Sequence, residues 1–407
     1  MTKKTRKLIL YGLIAGFLLA ASGFLSYAFG WSLNSTADGF LTFKKTGAVF
    51  LKVWPADARI KINGKSYIPK HKLFGNSGSE LIRGLLPGSY QIEVLKDNFG
   101  SWQKKLTVEA GLISSASKIF LFPDEIQAES ITRGKAEEFW LTDGKKEEIK
   151  KIFNSLKQKQ LKMPGEVPVV RIISYPFDTS KSVIVTQKAA YILDRQNFSL
   201  EILTLNPVKA INIGDSEIAF FDWQNNLQIY NLSSRQITET IPLELLNETK
   251  NIAFSKSGIR IALLDNKGNL FVYNRIQKDL KLADEKIRDF RFSPDSKKIA
   301  ALTQNGEMEI IFLENYNQDF KITTGEKFKL NLSLNTQPLD FEWLPKILNH
   351  LVIRYRDKII AVEADSRPPT NWWILGENID DFAFDKENSL YFLKDGKFLK
   401  IILNQSY

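Results

Sequence analysis

The sequence predicts a mainly β protein carried on one apolar helix. Three observations point there. A run of 22 uncharged residues, Leu8 to Phe29, follows a cluster of lysines and arginine. Short runs of alternating apolar and polar residues, bounded by Pro, Gly and Asn-Gly, fill the region from Phe40 to Pro123. Beyond it, a unit of apolar strand, turn and apolar strand recurs about every 40 residues to the end of the chain. Such a period is the mark of β-propeller blades.

The run Leu8–Phe29 reads LILYGLIAGFLLAASGFLSYAF. As a helix at about 1.5 Å per residue it reaches about 33 Å, enough to cross a hydrocarbon core of about 30 Å. Lys3, Lys4, Arg6 and Lys7 precede it, so the positive-inside rule leaves residues 1–7 in the cytoplasm and exports everything beyond. Ala20-Ala21-Ser22 imitates a signal-peptidase site, but the apolar run continues through Phe24, Leu25, Tyr27 and Phe29 to Trp31. A cleaved signal has a shorter apolar core. The expectation is an uncleaved single-pass anchor over residues 8–31, with Tyr11, Tyr27 and Trp31 at the interfaces. Gly12 and Gly16 have the spacing of a helix-pairing face, one that also arises readily by chance in a Gly-rich run.

The net charge is +10, with no cysteine and two histidines. An exported chain without cysteine has no disulfide framework, thiolate metal site or cysteine nucleophile. The positive charge is local: residues 40–123 hold 13 Lys/Arg against 5 Asp/Glu, and the C-terminal bulk is slightly acidic. The basic character therefore belongs to the membrane-proximal module, where it suits anionic headgroups, a wall polymer or simple solvation. Nucleic acid is disfavoured as a partner by topology.

In that module the runs GAVFLKVWP (47–55), ARIKING (58–64), GSYQIEVLK (88–96), KKLTVEAG (104–111) and SSASKIFLFP (114–123) predict some six short antiparallel strands in a β-sandwich. Asn63-Gly64 suits a tight hairpin turn, and Pro87-Gly88 a type II turn. The order Val53-x-Pro55-x-x-Ala58-x-Ile60-x-Ile62-Asn63-Gly64, then Leu86-Pro87-Gly88-x-Tyr90-x-Ile92-x-Val94, then Phe99-Gly100 and Trp102, resembles a PEGA domain. Pro55-Ala56-Asp57-Ala58 stands where that family's Pro-Glu-Gly-Ala would be, so the turn before the second strand should differ. The resemblance implies a surface-associated prokaryotic sandwich for binding or spacing, without catalytic residues.

Residues 124–166 form a connector. Thr142 can cap a helix over about 143–161 with an apolar stripe at Ile149, Ile152, Phe153 and Leu156. From residue 167 to 407 the repeat dominates. Its copies begin at Arg171, Val208, Asn251, Asp289, Asp340 and Asp380, with anchors Tyr175, Ile213, Phe254, Phe292, Trp343 and Phe384. The long interval between Phe292 and Trp343 requires an insertion around Asn315 to Pro338. FSPDSKKIA (292–300) resembles the blade motif of WD-repeat-like and TolB-like propellers. The last copy stops after three strands, so Gln127–Thr132 (QAESIT) is the expected outer strand that closes the ring. Six blades are counted; seven remain open.

No catalytic constellation emerges. His71 and His350 fall in different domains, without neighbours for a triad or a metal site. Gly64-Lys65-Ser66 lacks the upstream glycine of a phosphate loop. Asp265 to Asn269 imitates a calcium loop but has Lys267 at the third position, and reads as a hairpin turn. Asp380-Asp381 could in principle pair for glycoside hydrolysis, but suits turn formation. No catalytic, cofactor or metal residue is assigned. Trp372 and Trp373 are the candidate ligand-stacking residues: strand neighbours point to opposite faces, so one ring is core and the other exposed. Inter-blade packing is the competing role for both. The chain therefore reads as a membrane-anchored surface protein whose propeller engages a protein or an envelope glycan. A surface hydrolase or lyase with its site in the propeller funnel, and a purely structural envelope component, are the alternatives.

Overall fold

The computed structural model describes residues 3–28, 31–35, 41–68, 78–132, 169–175, 180–243 except 195 and 198, and 249–403 except 333, 335, 348, 386 and 388. The expected helix over 143–161 and His71 lie outside these residues.

The N-terminal helix runs Lys3–Ala28. Leu10, Phe17, Leu19 and Phe24 are 53%, 71%, 74% and 77% exposed. Among the described residues the apolar side chains of this helix are mostly uncovered on every side, which suits an apolar medium. It is long and apolar enough to cross a membrane, as an anchor or as a signal sequence. It ends before Trp31, which opens a strand rather than closing the helix. Trp31–Ser35 pairs with Leu41–Lys45 in a hairpin.

Among the described residues the sandwich comprises seven strands in two sheets. Gly47–Trp54 lies between Ser79–Leu85 and Ile113–Phe120, and Arg59–Ile62 lies between Lys65–Tyr67 and Gly88–Lys96, with Phe99–Val108 at the far edge. One pairing departs from the antiparallel expectation: Ile113–Phe120 runs parallel to Gly47–Trp54. Hairpin-length spacing marks neighbours but is silent on a strand that returns across the sandwich. Asn63 and Gly64 adopt φ of 48° and 76°, as the hairpin demands. Pro87-Gly88 does not form the expected type II turn, because Gly88, at φ 157°, already starts a strand. Ala58 N–H donates to Pro55 C=O at 3.2 Å, closing the turn before Arg59–Ile62.

Six four-stranded antiparallel sheets follow. Sheet I is Val169–Ser174, Lys181–Thr186, Ala190–Asp194 and Ser199–Thr204. Sheet II is Val208–Ile213, Glu217–Asp222, Asn226–Asn231 and Gln236–Pro242. Sheet III is Thr249–Phe254, Arg260–Asp265, Leu270–Asn274 and Asp279–Asp284. Sheet IV is Ile287–Phe292, Lys298–Thr303, Met308–Phe312 and the short Lys327–Lys329. Sheet V is Asp340–Trp343, His350–Arg354, Lys358–Glu363 and Trp372–Glu377. Sheet VI has Asp381–Phe384, Leu390–Lys394 and Lys397–Ile402. Its outer strand is Gln127–Ile131, which pairs antiparallel with Lys397–Ile402 from Gln127↔Ile402 to Ile131↔Phe398. The outer strand expected for the last copy is therefore present in sheet VI. It covers an edge that would otherwise expose unpaired backbone groups.

Each sequence repeat corresponds to the first three strands of one sheet. Period-two alternation makes the stacking possible, because both faces of each middle strand are apolar. Ile261 and Leu263 pack toward sheet II, whereas Ala262 and Leu264 pack toward sheet IV. Apolar clusters join I to II, II to III, III to IV, IV to V and V to VI in turn. The first strands of sheets II, III, IV and V approach one another in sequence, so they are the inner strands. This is a propeller-like fold.

Candidate functional site

The site is defined by how the sandwich seats on the repeat array. In sheets I to V the loops joining strands one to two and three to four leave by the same edge. The sandwich contacts those loops in sheets IV and V. The remaining loops emerge on the opposite face.

Strand Phe99–Val108 alternates Trp102, Lys104, Leu106 and Val108 on its buried side. A lysine in that series is unusual because burying an ammonium is costly unless it is paired. Here the pairing is complete. Lys104 Nζ lies 3.0 Å from Glu363 Oε2, with the two side chains 0% and 4% exposed. Lys104 Nζ also donates to Pro369 C=O at 2.8 Å. Glu363 accepts from Trp102 Nε1 at 3.1 Å and Asn371 Nδ2 at 2.7 Å. Burial raises the Glu363 carboxyl above its ordinary value, while Lys104 and those two donors oppose the rise. Asn371 Oδ1 and Nδ2 clasp the backbone N–H and C=O of Gln103, each at 3.0 Å. A second contact uses the insertion of sheet IV. Asp319 accepts from Ser117 N–H at 2.9 Å and Ser117 Oγ at 3.1 Å, and Arg367 Nη1 donates to Ser115 C=O at 2.7 Å and to Asp319 C=O at 2.9 Å.

The two candidate tryptophans separate as strand alternation requires. Trp373 is 7% exposed and Trp372 is 37% exposed. Trp373 packs within 5.1 Å of the Phe122 ring and 5.9 Å of His350, and a Cβ on Gly100 would overlap its indole. Its packing is thus between the sandwich and sheet V, with the V–VI core, rather than only between blades. Trp372 and Ile374, 42% exposed, share the opposite side of this outer strand.

On the free face, Asn or Asp side chains recur at one position. Asn251, Asp289, Asp340 and Asp381 each stand three residues before an anchor, and each Oδ1 accepts the next backbone N–H at 2.8 to 3.0 Å. Asp381 accordingly belongs to a series set at the start of the inner strands, while Asp380 Oδ2 accepts from Asp395 N–H at 3.0 Å, at the turn between Leu390–Lys394 and Lys397–Ile402. Arg291 sits among them, 2.8 Å from Asp289, 3.6 Å from Asp340 and 3.2 Å from Glu342, over the Phe341 ring at 5.4 Å. Burial raises the Asp340 and Glu342 carboxyls, and Arg291 only partly offsets this. Arg354 continues the series, donating to Asp380 C=O at 2.9 Å and reaching Asp381 at 3.9 Å. Arginines cross other junctions in the same way: Arg275 to Glu217 at 2.7 Å and Arg260 to Glu314 at 3.0 Å. Arg291 is thus a stitch between neighbouring sheets, and it is set in an acid-rich inner mouth. The Asx three residues before the anchors Phe254, Phe292, Trp343 and Phe384 was the sequence signal for this mouth.

A cavity of about 530 Å³ opens between sheets I and II on the sandwich-bearing face, lined by Tyr175, Lys181, Asp194, Glu201, Tyr230 and Arg235, among others. Tyr230 Oη donates to Glu201 at 2.6 Å. The imitation calcium loop is a hairpin turn: Asp265 accepts from Asn269 N–H and Nδ2, each at 2.7 Å, and Gly268 has φ 90°. His350 is fully buried in the aromatic cluster between sandwich and sheet V.

No protein-family model matches the chain, and no curated protein matches it. Among solved structures, the chain is similar to the tricorn protease, with 13% identity over 60% of this chain and 30% of that chain, at a TM-score of 0.41. The chain spans under a third of that protein's length, and a likeness of this strength carries no functional argument.

Proposed function

We propose that the protein is a membrane-anchored binding protein, held by Lys3–Ala28, with its PEGA-like sandwich and a six-bladed propeller outside the cytoplasm. The carrying observation is the fixed mount. The buried Lys104–Glu363 pair and the Asn371 clasp hold sandwich and propeller as one body, so the face with the acid-rich mouth is directed away from the sandwich. A surface positioned in this way serves a partner met at a set distance from the bilayer. The partner class is a protein or an envelope polysaccharide. Asp289, Asp340, Glu342, Asp380 and Asp381 against Arg291 and Arg354 favour cationic groups on that partner. Trp372 supplies an apolar ring at the outer edge for stacking.

The test is retention. The full chain in lipid nanodiscs should retain a defined component from envelope extract, and Asp380→Asn with Asp381→Asn should weaken that retention several-fold without loss of folding. Failure to retain any component, or retention unchanged in the variant and lost only on removal of the sandwich, defeats the reading.

A further inference from the structure

The junction between helix and sandwich points to a second membrane contact. Hairpin register places Lys45 opposite Trp31 and Phe43 opposite Leu33. The hairpin therefore returns on itself instead of acting as a spacer, and it brings Lys45 back beside Trp31. Only Thr46, 5% exposed, separates Lys45 from the first sandwich strand. That connection is firmly held: Gly111 N–H donates to Thr46 C=O at 2.9 Å, and Ala48 N–H donates to Leu112 C=O at 3.0 Å. The Lys45 stem lies over Gly111. The end of the sandwich around Gly47 thus lies two residues from Lys45, which is one strand spacing, about 5 Å, from Trp31, on a strand that contacts the helix.

That same end exposes apolar side chains from separate segments. Trp31 is 42% exposed and Phe43 62%. Leu112 and Ile113, beside Ala48, are 53% and 61% exposed, and Leu86, next to the partner of Gly47, is 36% exposed. Lys44, Lys45 and Arg83 surround them, with Glu109 as the one carboxylate on the adjoining turn. Aromatic and aliphatic groups fringed by cations match the headgroup boundary of a bilayer, where rings settle and anionic lipids attract lysine and arginine.

We infer that Trp31, Phe43, Leu86, Leu112 and Ile113 seat the sandwich end in the interfacial layer of the bilayer crossed by the helix, with anionic phospholipid headgroups meeting Lys44, Lys45 and Arg83. The inference rests on the anchor reading. It makes the propeller's height and tilt above the bilayer fixed quantities, because the sandwich in turn fixes the propeller.

The chain contains no cysteine, so single cysteines can report position. Phe43→Cys, Ile113→Cys and the control Lys397→Cys would be labelled with a polarity-sensitive fluorophore in the full chain, in nanodiscs containing anionic lipid. The first two should emit at shorter wavelength and be quenched severalfold by shallow nitroxide lipids; the control should show neither change. Aqueous emission from Phe43→Cys and Ile113→Cys in intact, protein-loaded nanodiscs overturns the inference and leaves the anchor standing. Loss of the protein from the nanodiscs instead defeats the anchor reading, and the inference with it. A blue shift that persists in detergent and grows with protein concentration assigns the patch to a second copy and also overturns it.

Discussion

Lys104 of the sandwich and Glu363 of sheet V form a 3.0 Å ion pair from which water is excluded. A buried ion pair is a weak source of net stability, because desolvation offsets much of the attraction. Its value here is registration, since each charge has only one arrangement in which it is matched. Lys104→Met should therefore destabilise the chain by about 3–5 kcal/mol, by leaving Glu363 buried without its cation. Lys104→Met combined with Glu363→Gln should recover a large part of that loss. Urea denaturation of Lys104→Met, Glu363→Gln and the double variant checks it, and losses that simply add would refute the registration role.

The tryptophan pair should divide stability from surface function. Trp373→Ala empties a site enclosed by Phe122, His350 and Gly100, and should cost about 3–5 kcal/mol. Trp372→Ala should change stability by under about 1 kcal/mol while lowering retention of an envelope ligand. Parallel denaturation and retention measurements test both halves.

Lys298 is 1% exposed. Its ammonium donates to Asn349 Oδ1 at 2.6 Å and lies 5.4 to 5.9 Å from the rings of Trp343, Tyr316 and Phe312. Burial pushes its pKa down from 10.5 to about 8, with Asp295 opposing. Below about pH 8 the ammonium is charged in both folded and unfolded chains, and its burial cost is fully present. Between about 8 and 10.5 the folded chain has released the proton that the unfolded chain retains, so this group makes stability rise with pH. The full span is worth about 3 kcal/mol. Lys298→Met should abolish that rise, read as the difference in urea midpoints between pH 7 and 9.5. Identical pH profiles for the two proteins would contradict the assignment.

The strand Gln127–Ile131 closes sheet VI from the far side of the sandwich in sequence. Replacing Glu129 and Ser130 with proline removes ladder donors and should release the outer edge of Lys397–Ile402. Trypsin should then cleave at Lys394, Lys397 or Lys400 at least tenfold faster than in the unaltered chain. Unchanged cleavage would mean that the strand is dispensable for closure.

The sheets were legible because their signals are local. Anchors Phe254, Phe292, Trp343 and Phe384 each end the first strand of a sheet, and the missing fourth strand at Tyr407 called for a donor. The fourth strands themselves were not resolved by the repeat. Their side chains carry a weaker apolar pattern: Gln236–Pro242 is largely polar and exposed, and Asp279–Asp284 is half polar and nowhere fully buried. Docking was illegible for a different reason. Trp102 and Glu363 are 261 positions apart, and no periodicity links them. A trace existed in Lys104, which occupies an apolar position in the Trp102–Val108 alternation. The insertion around Asn315 to Pro338 was visible as a length anomaly, but its use was not: Asp319 grips Ser117 of the sandwich. The parallel pairing of Ile113–Phe120 was equally hidden, since strand pattern carries no direction.

The central claim is that the helix holds the propeller on the far side of a membrane from residues 1–7. Single-cysteine labelling tests it most directly, using Lys4→Cys and Lys397→Cys with a membrane-impermeant maleimide on intact cells. Lys397→Cys should label on intact cells, and Lys4→Cys only after lysis. The reverse pattern, or recovery of the propeller in the soluble fraction after cleavage near Ser22, would contradict it.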